Sequence, residues 1–198
     1  MKKALALVAV AGLAGIASAQ SATMTVTANG GAAVSVAPGT AVNIAATATW
    51  GGTNVQFAGL KGAIKVAGDA GAGANFTSAF TAGGLVNLGA FTGGSRTGID
   101  IAVTPAFFTG GFIVPPSGNN TGLNIGSYQL TIATPGVYTV GFAADATAPN
   151  IRLFPSTASP AFVEAQTTYV GATITVTPAP ASLALVGLGG LVAGRRRR

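Results

Sequence analysis

Four carboxylates are the side chains of this sequence with the widest catalytic repertoire: Asp69, Asp100, Asp145 and Glu164. Glycoside hydrolysis needs two such groups about 5 to 10 Å apart, one of them acting as an acid. Asp100 and Glu164 fall in alternating, strand-like runs, where a charge marks the solvent face. Asp69 and Asp145 fall in turn-like segments, where Asp is common. No spacing pairs any two of them, so we predict that the chain is not an enzyme.

The sequence contains no Cys and no His. Disulfides, thiolate or imidazole metal ligands, Cys nucleophiles and His-based triads are therefore excluded. The carboxylates also lack the Asp-x-Asp-x-Asp spacing of a calcium-binding loop. We predict neither a cofactor nor a metal site.

The formal net charge of +6 comes entirely from the two ends of the chain. Lys2, Lys3 and a terminal block of four arginines supply it, whereas four cations and four carboxylates cancel in between. A nucleic-acid-binding surface needs a basic face that neutralises phosphates. The sequence predicts no nucleic-acid partner.

The N-terminus has the three parts of a secretory signal peptide. Residues 1–3 are positively charged, residues 4–16 are apolar, and the small residues Ala17 and Ala19 precede Gln20. We predict cleavage by signal peptidase between residues 19 and 20, and export of the mature chain.

The long middle segment alternates apolar residues with Thr, Asn or Gln, which is the period of half-buried strands. Gly and Pro turn signals separate these runs too closely for long helices, and the Gly-Ala run at 68–74 is predicted as a loop. The fold predicted for residues 20–177 is all-β, a single antiparallel β-sandwich of jelly-roll or cohesin-like type with about nine to twelve strands. Thirteen runs are candidates for these strands: 24–27, 34–36, 42–50, 54–57, 60–66, 85–91, 99–103, 111–114, 128–132, 138–142, 151–153, 162–170 and 172–177.

Two short stretches resemble known sandwich families. Residues 135–140 resemble the start of a late strand in immunoglobulin-like domains, which implies that Tyr138 forms a tyrosine corner. Residues 38–44 and 57–60 resemble the opening of cohesin-type domains of secreted bacterial proteins. This second likeness implies a module that grips a glycan or another protein.

The C-terminal 21 residues, 178–198, have the composition of a sorting signal that is recognised at the membrane. Pro178, Ala179 and Pro180 form a stiff hinge before a 14-residue apolar segment. As a helix that segment would cover only about 21 Å, less than a bilayer core of about 30 Å. The basic block that follows would hold its own end in the cytoplasm.

This tail resembles the PEP-CTERM sorting signal. The two prolines match the family pattern, Ala179 stands where Glu is usual, and the closing basic cluster is Arg195, Arg196, Arg197 and Arg198. The resemblance implies transient anchoring in the membrane, processing by an exosortase-type membrane protease, and delivery to a surface where exopolysaccharide is made. A C-terminal anchor that is never cleaved is the alternative.

We therefore expect an exported, non-catalytic protein of the cell surface or extracellular matrix, associated with exopolysaccharide or surface proteins. The alternative function is a cohesin-like module that binds a specific glycan or protein. Trp50, at the end of an alternating run, is the candidate ligand contact, because an aromatic ring at a strand end can stack on a sugar. The competing interpretation is that Trp50 closes one end of the sandwich core.

Overall fold

The computed structural model describes residues 20–52, 54–103, 122–156, 159 and 161–178. The predicted signal peptide, the predicted strand at 111–114 and the tail from Ala179 onward lie outside the described residues. Within the described ranges, no helix is both long enough and apolar enough to cross a membrane. The helix found there is a short 3-10 turn, Ala67–Asp69.

The described residues form thirteen strands. They are β1 (Ser21–Ala28), β2 (Ala33–Val36), β3 (Ala41–Trp50), β4 (Gln56–Val66), β5 (Ala72–Thr77), β6 (Val86–Thr92), β7 (Ser95–Ala102), β8 (Leu123–Thr131), β9 (Gly136–Ala144), β10 (Arg152–Phe154), β11 (Val163–Glu164), β12 (Gln166–Val170) and β13 (Ala172–Val176). The run predicted at 162–170 is split at the buried Ala165, which separates β11 from β12.

These strands make two sheets, which confirms the prediction of an all-β sandwich. The five-stranded sheet has the order β12-β1-β3-β8-β5. The eight-stranded sheet has the order β11-β10-β4-β9-β13-β2, with β7 beside β4 and β6 beside β7. Alternate residues of β1 and β3 are buried, as a strand with one face on a core requires.

One apolar core lies between the sheets, and Tyr128 ties them together across it. Its ring packs edge-on against Phe91 at 5.2 Å, and its hydroxyl donates a hydrogen bond of 2.8 Å to the Gly94 carbonyl. Burial raises the pKa of this hydroxyl, which is protonated at neutral pH even at the ordinary value of a tyrosine. A β8 side chain is thereby fastened to the turn between β6 and β7.

The prediction of a purely antiparallel sandwich is wrong at both ends of the fold. β1 pairs with β12 in parallel, and β2 pairs with β13 in parallel. Both β1–β2 and β12–β13 pass from the five-stranded to the eight-stranded sheet, so the parallel pairing continues from one sheet into the other. The first and last parts of the sandwich therefore run side by side in the same direction.

The prediction of a loop at 68–74 is also wrong from Ala72 onward, where β5 begins. Ala72 and Gly73 pair with Thr131 and Leu130 of β8. Small residues are needed there because the Phe91 ring lies against Gly73, where an added Cβ atom would clash with it. The Gly-Ala composition indicates close packing of an edge strand.

The tyrosine corner is confirmed. The Tyr138 hydroxyl donates a 3.0 Å hydrogen bond to the carbonyl of Thr134, four residues upstream. It braces the turn that leads into β9.

Replacing Tyr138 with Phe is expected to lower the free energy of unfolding by about 1 kcal/mol, because one hydrogen bond is lost and the ring is kept. Urea denaturation of the purified chain measures this. Thr139→Val, an exposed change on the same strand, is the control and should stay within about 0.5 kcal/mol of the original. Equal stability of Tyr138→Phe and the original would show that the corner contributes nothing.

Candidate functional site

The carboxylates lie where the sequence indicated, Asp100 and Glu164 in strands and Asp69 and Asp145 at turns. Three of them form partly exposed ion pairs of the kind that add little stability. The pairs are Lys61–Asp100 at 3.8 Å, Lys65–Asp69 at 3.0 Å and Arg152–Glu164 at 3.9 Å.

Cross-strand register also places four polar residues in one row on the eight-stranded sheet. Asn87 of β6 is opposite Asp100 of β7, and Asp100 is opposite Lys61 of β4. The amide of Asp145 donates to the Lys61 carbonyl at 2.9 Å, which completes the row. All four line a groove of about 470 Å³, here named the charged groove. The four residues come from separate parts of the chain, so no local sequence pattern indicated this cluster.

Asp145 is held as an anion in the charged groove. One of its carboxylate oxygens accepts hydrogen bonds from the Thr147 hydroxyl at 2.6 Å and the Thr147 amide at 2.8 Å. These bonds, with a smaller contribution from the charge of Lys61, lower the pKa of Asp145. A general acid needs a carboxyl group that keeps its proton near neutral pH. Asp145 is instead suited to hold a cation or to accept hydrogen bonds.

Trp50 lies in the core, at the end of β3. Only 3% of its surface is exposed, and its indole N–H donates a 3.0 Å hydrogen bond to the Val55 carbonyl. Its ring centroid is 5.8 Å from that of Phe57, which in turn is 5.4 Å from Phe80. This geometry is that of a plug closing the sandwich, and the ring offers no free face for a sugar.

The outer face of the five-stranded sheet differs from the charged groove in composition. None of its five strands contains a charged residue. The outward positions of β1, β3, β8 and β12, here named the hydroxyl face, alternate with the buried ones. Their hydroxyl side chains are Ser21, Thr23, Thr25, Thr27, Thr47, Thr49, Ser127, Thr131 and Thr168.

Threonines stand next to one another at the end of the hydroxyl face nearest Gln20. Thr23 is opposite both Thr49 and Thr168, and Thr25 is opposite Thr47. A shallow depression of about 270 Å³ opens beside them, and the residues that line it are Ser21, Ala22, Thr23, Thr49, Trp50 and Gly51. This part of the face is here named the threonine patch, and it consists of Ser21, Thr23, Thr25, Thr47 and Thr49.

Hydrogen bonding divides the hydroxyl face into two halves. In the half away from the threonine patch, side chains bond to the protein: Thr77 to Ser127 at 2.8 Å, and Asn75 to Gln129 at 3.1 Å. Within the described part of the chain, the hydroxyls of the threonine patch make no hydrogen bond to another protein group. The alternation of Thr in β1 was visible in the sequence, but its pairing with β3 was not.

The predicted processing residues are only partly within the described chain. Gln20 lies where β1 begins, and its carbonyl accepts a 2.8 Å hydrogen bond from the Gln166 amide. Pro178 follows Thr177, whose amide donates to the Val36 carbonyl at 2.9 Å, just past the ends of β2 and β13. The remaining processing residues, Ala17, Ala19, Ala179, Pro180 and Arg195 to Arg198, lie outside the described residues. The predicted cleavages stay predictions.

Together, the fold and its surfaces define an all-β sandwich domain with one uncharged and one charged outer face. No protein-family model and no curated protein matches the chain. Among solved structures it is similar to the sixth cohesin of scaffoldin B from Acetivibrio cellulolyticus, solved in complex with a Cel5 dockerin mutant, at 10% identity and a TM-score of 0.47. That likeness covers 80% of this chain and 99% of the cohesin. A chain of a complex between a CaDoc0917 variant and CaCohA2 is similar at 16% identity and a TM-score of 0.42, covering 79% of this chain and 100% of that one.

Proposed function

We propose that this chain is an exported, non-catalytic protein of the cell surface or extracellular matrix that associates with neutral exopolysaccharide. The observation that carries the proposal is the hydroxyl face, a sheet surface whose strands carry no charge and whose threonine patch has hydroxyls without a hydrogen-bond partner among the described residues. Hydroxyl groups both donate and accept hydrogen bonds, as do those of a sugar. An uncharged face also avoids stripping water from a charge when a neutral polymer binds.

The sequence patterns at the two ends support the location. The signal-peptide pattern before Gln20 accounts for export and for cleavage by signal peptidase. The tail from Pro178, with its resemblance to PEP-CTERM signals, accounts for transient membrane anchoring and for processing by an exosortase-type protease. Sorting of this kind would place the sandwich where exopolysaccharide accumulates.

Cell fractionation with intact-mass measurement tests the location. The expected species begins at Gln20, lacks the residues after about Pro180 and is found in the surface or matrix fraction. Retention of residues 181–198 in a membrane fraction would favour the permanent anchor. Full-length protein in the cytosol would contradict export and sorting together.

A second candidate function is a module that binds another protein, and the charged groove favours it. Asp100 and Asp145 flank Lys61 there, an arrangement that could pair with charges on a partner. Binding through such pairs weakens as salt rises, because exposed charges are screened. Binding of a neutral polymer through hydroxyls is expected to be nearly independent of salt. Lys61→Met with Asp145→Asn should remove protein binding and leave polysaccharide binding intact.

A further inference from the structure

We propose that the threonine patch is the binding site for one extended, uncharged polysaccharide chain. This inference rests on the proposed function and gives it a location and a ligand class. The patch combines the features that such a ligand requires: adjacent hydroxyls that have no hydrogen-bond partner in the part of the chain that the structure describes, an open depression of about 270 Å³, and no charge on the strands that form it.

The spacing of the patch suits a repeating ligand. Neighbouring strands are about 4.7 to 4.9 Å apart, and residues two apart on one strand are separated by about 6.6 to 6.8 Å. Thr23 and Thr25 on β1, beside Thr49 and Thr47 on β3, therefore form a regular array of four hydroxyls. A linear polysaccharide also presents hydroxyls at fixed intervals, so several can bond at once.

The patch is stiff before a ligand arrives. Threonine is branched at Cβ, which restricts its χ1 rotamers on a strand, and each of the four threonine side chains is already half-buried. Less side-chain freedom is lost on binding than for long polar side chains, which favours affinity. The methyl groups of threonine and the exposed Val170, paired with Thr25, add apolar contacts for the faces of sugar rings.

The sheet arrangement supplies a matched pair of variants. Thr25 and Thr47 are cross-strand neighbours in the patch. Thr139 and Thr173 are cross-strand neighbours on the outer face of the eight-stranded sheet. Changing either pair to Val removes two hydroxyls and keeps the branched shape, so both double variants are expected to fold.

The test is native affinity electrophoresis of the purified full chain in gels that contain hydroxyethyl cellulose, dextran or galactomannan, with alginate as an anionic comparison. The original chain is expected to be retarded by at least one neutral polymer, with little change on added salt. Thr25→Val with Thr47→Val is expected to raise the dissociation constant roughly tenfold or more, since two hydrogen bonds are lost. Thr139→Val with Thr173→Val is expected to bind as the original does.

The outcomes separate the site from the function. If the original chain binds a neutral polymer and both double variants bind equally well, the threonine patch is not the site, although the proposed function stands. If the two double variants lose affinity for the polymer equally, the threonine patch is again not the site. If the original chain binds none of the neutral polymers, the proposed function is wrong and the site falls with it. Thermal melting of both variants shows whether any loss reflects unfolding.

Discussion

Replacing Trp50 with Ala is expected to lower the free energy of unfolding by about 3 to 5 kcal/mol, the usual cost of removing a buried aromatic side chain. Trp50 is almost fully buried, packs near Phe57 and satisfies the Val55 carbonyl. The change leaves a cavity at one end of the core and removes the donor of that hydrogen bond. Urea denaturation followed by far-ultraviolet circular dichroism, which does not depend on tryptophan fluorescence, measures the loss.

Trp50→Phe is the control for this variant. A phenyl ring keeps part of the contact with Phe57, but it loses the hydrogen bond to Val55 and some of the buried indole volume, so a decrease of about 1 to 3 kcal/mol, smaller than that of Trp50→Ala, is expected. The core assignment would be contradicted if Trp50→Ala were as stable as the original chain but no longer bound a neutral polysaccharide. That result would make Trp50 a ligand contact.

The second large effect is expected at Gly171, where the chain passes from β12 to β13. A Cβ atom there would lie 2.6 Å from the carbonyl oxygen of Val140, a buried residue of β9. Since the obstacle is backbone, β9 or the crossing itself would have to move. Gly171→Ala is expected to lower the free energy of unfolding by about 2 to 3 kcal/mol.

Gly51→Ala provides the matched control, because a Cβ atom at that exposed glycine meets nothing within 4 Å. Its stability is expected to equal or slightly exceed that of the original chain, since alanine restricts the unfolded state. Parallel urea titrations compare the two variants. If both glycines tolerated alanine equally, the crossing at Gly171 would not be the tight passage inferred from its contacts.

Local patterns in the sequence predicted those features that depend on neighbouring residues. β1 and β3 follow from strict alternation, and the tyrosine corner follows from a turn and a Tyr four residues after Thr134. β5 did not follow, because its Gly-Ala sequence has no alternation. Its strand character comes from pairing with β8, which lies far along the chain.

The residues that meet on the outer faces of the two sheets could be predicted even less, because they depend on which strands pair. The row from Asn87 to Asp145 exists only because β6, β7, β4 and β9 are neighbours in one sheet. The alternating threonines of β1 indicated a solvent face, but only the register with β3 places Thr25 beside Thr47. The position of Trp50 could not be predicted from its neighbours in the sequence either. An aromatic residue at a strand end has the same local pattern whether it faces a ligand or the core.

The parallel pairing of the terminal strands has a mechanical consequence. Gln20 immediately precedes β1 of the β1–β12 pair, and Pro178 follows the end of the β2–β13 pair. Tension applied between these two residues would pull the paired strands lengthwise past each other. Five register positions in one pair and four in the other would then bear the load together instead of opening one after another. If the sandwich were pulled between a membrane anchor at one end and a polymer network at the other, these two parallel strand pairs would be loaded in shear and would resist unfolding.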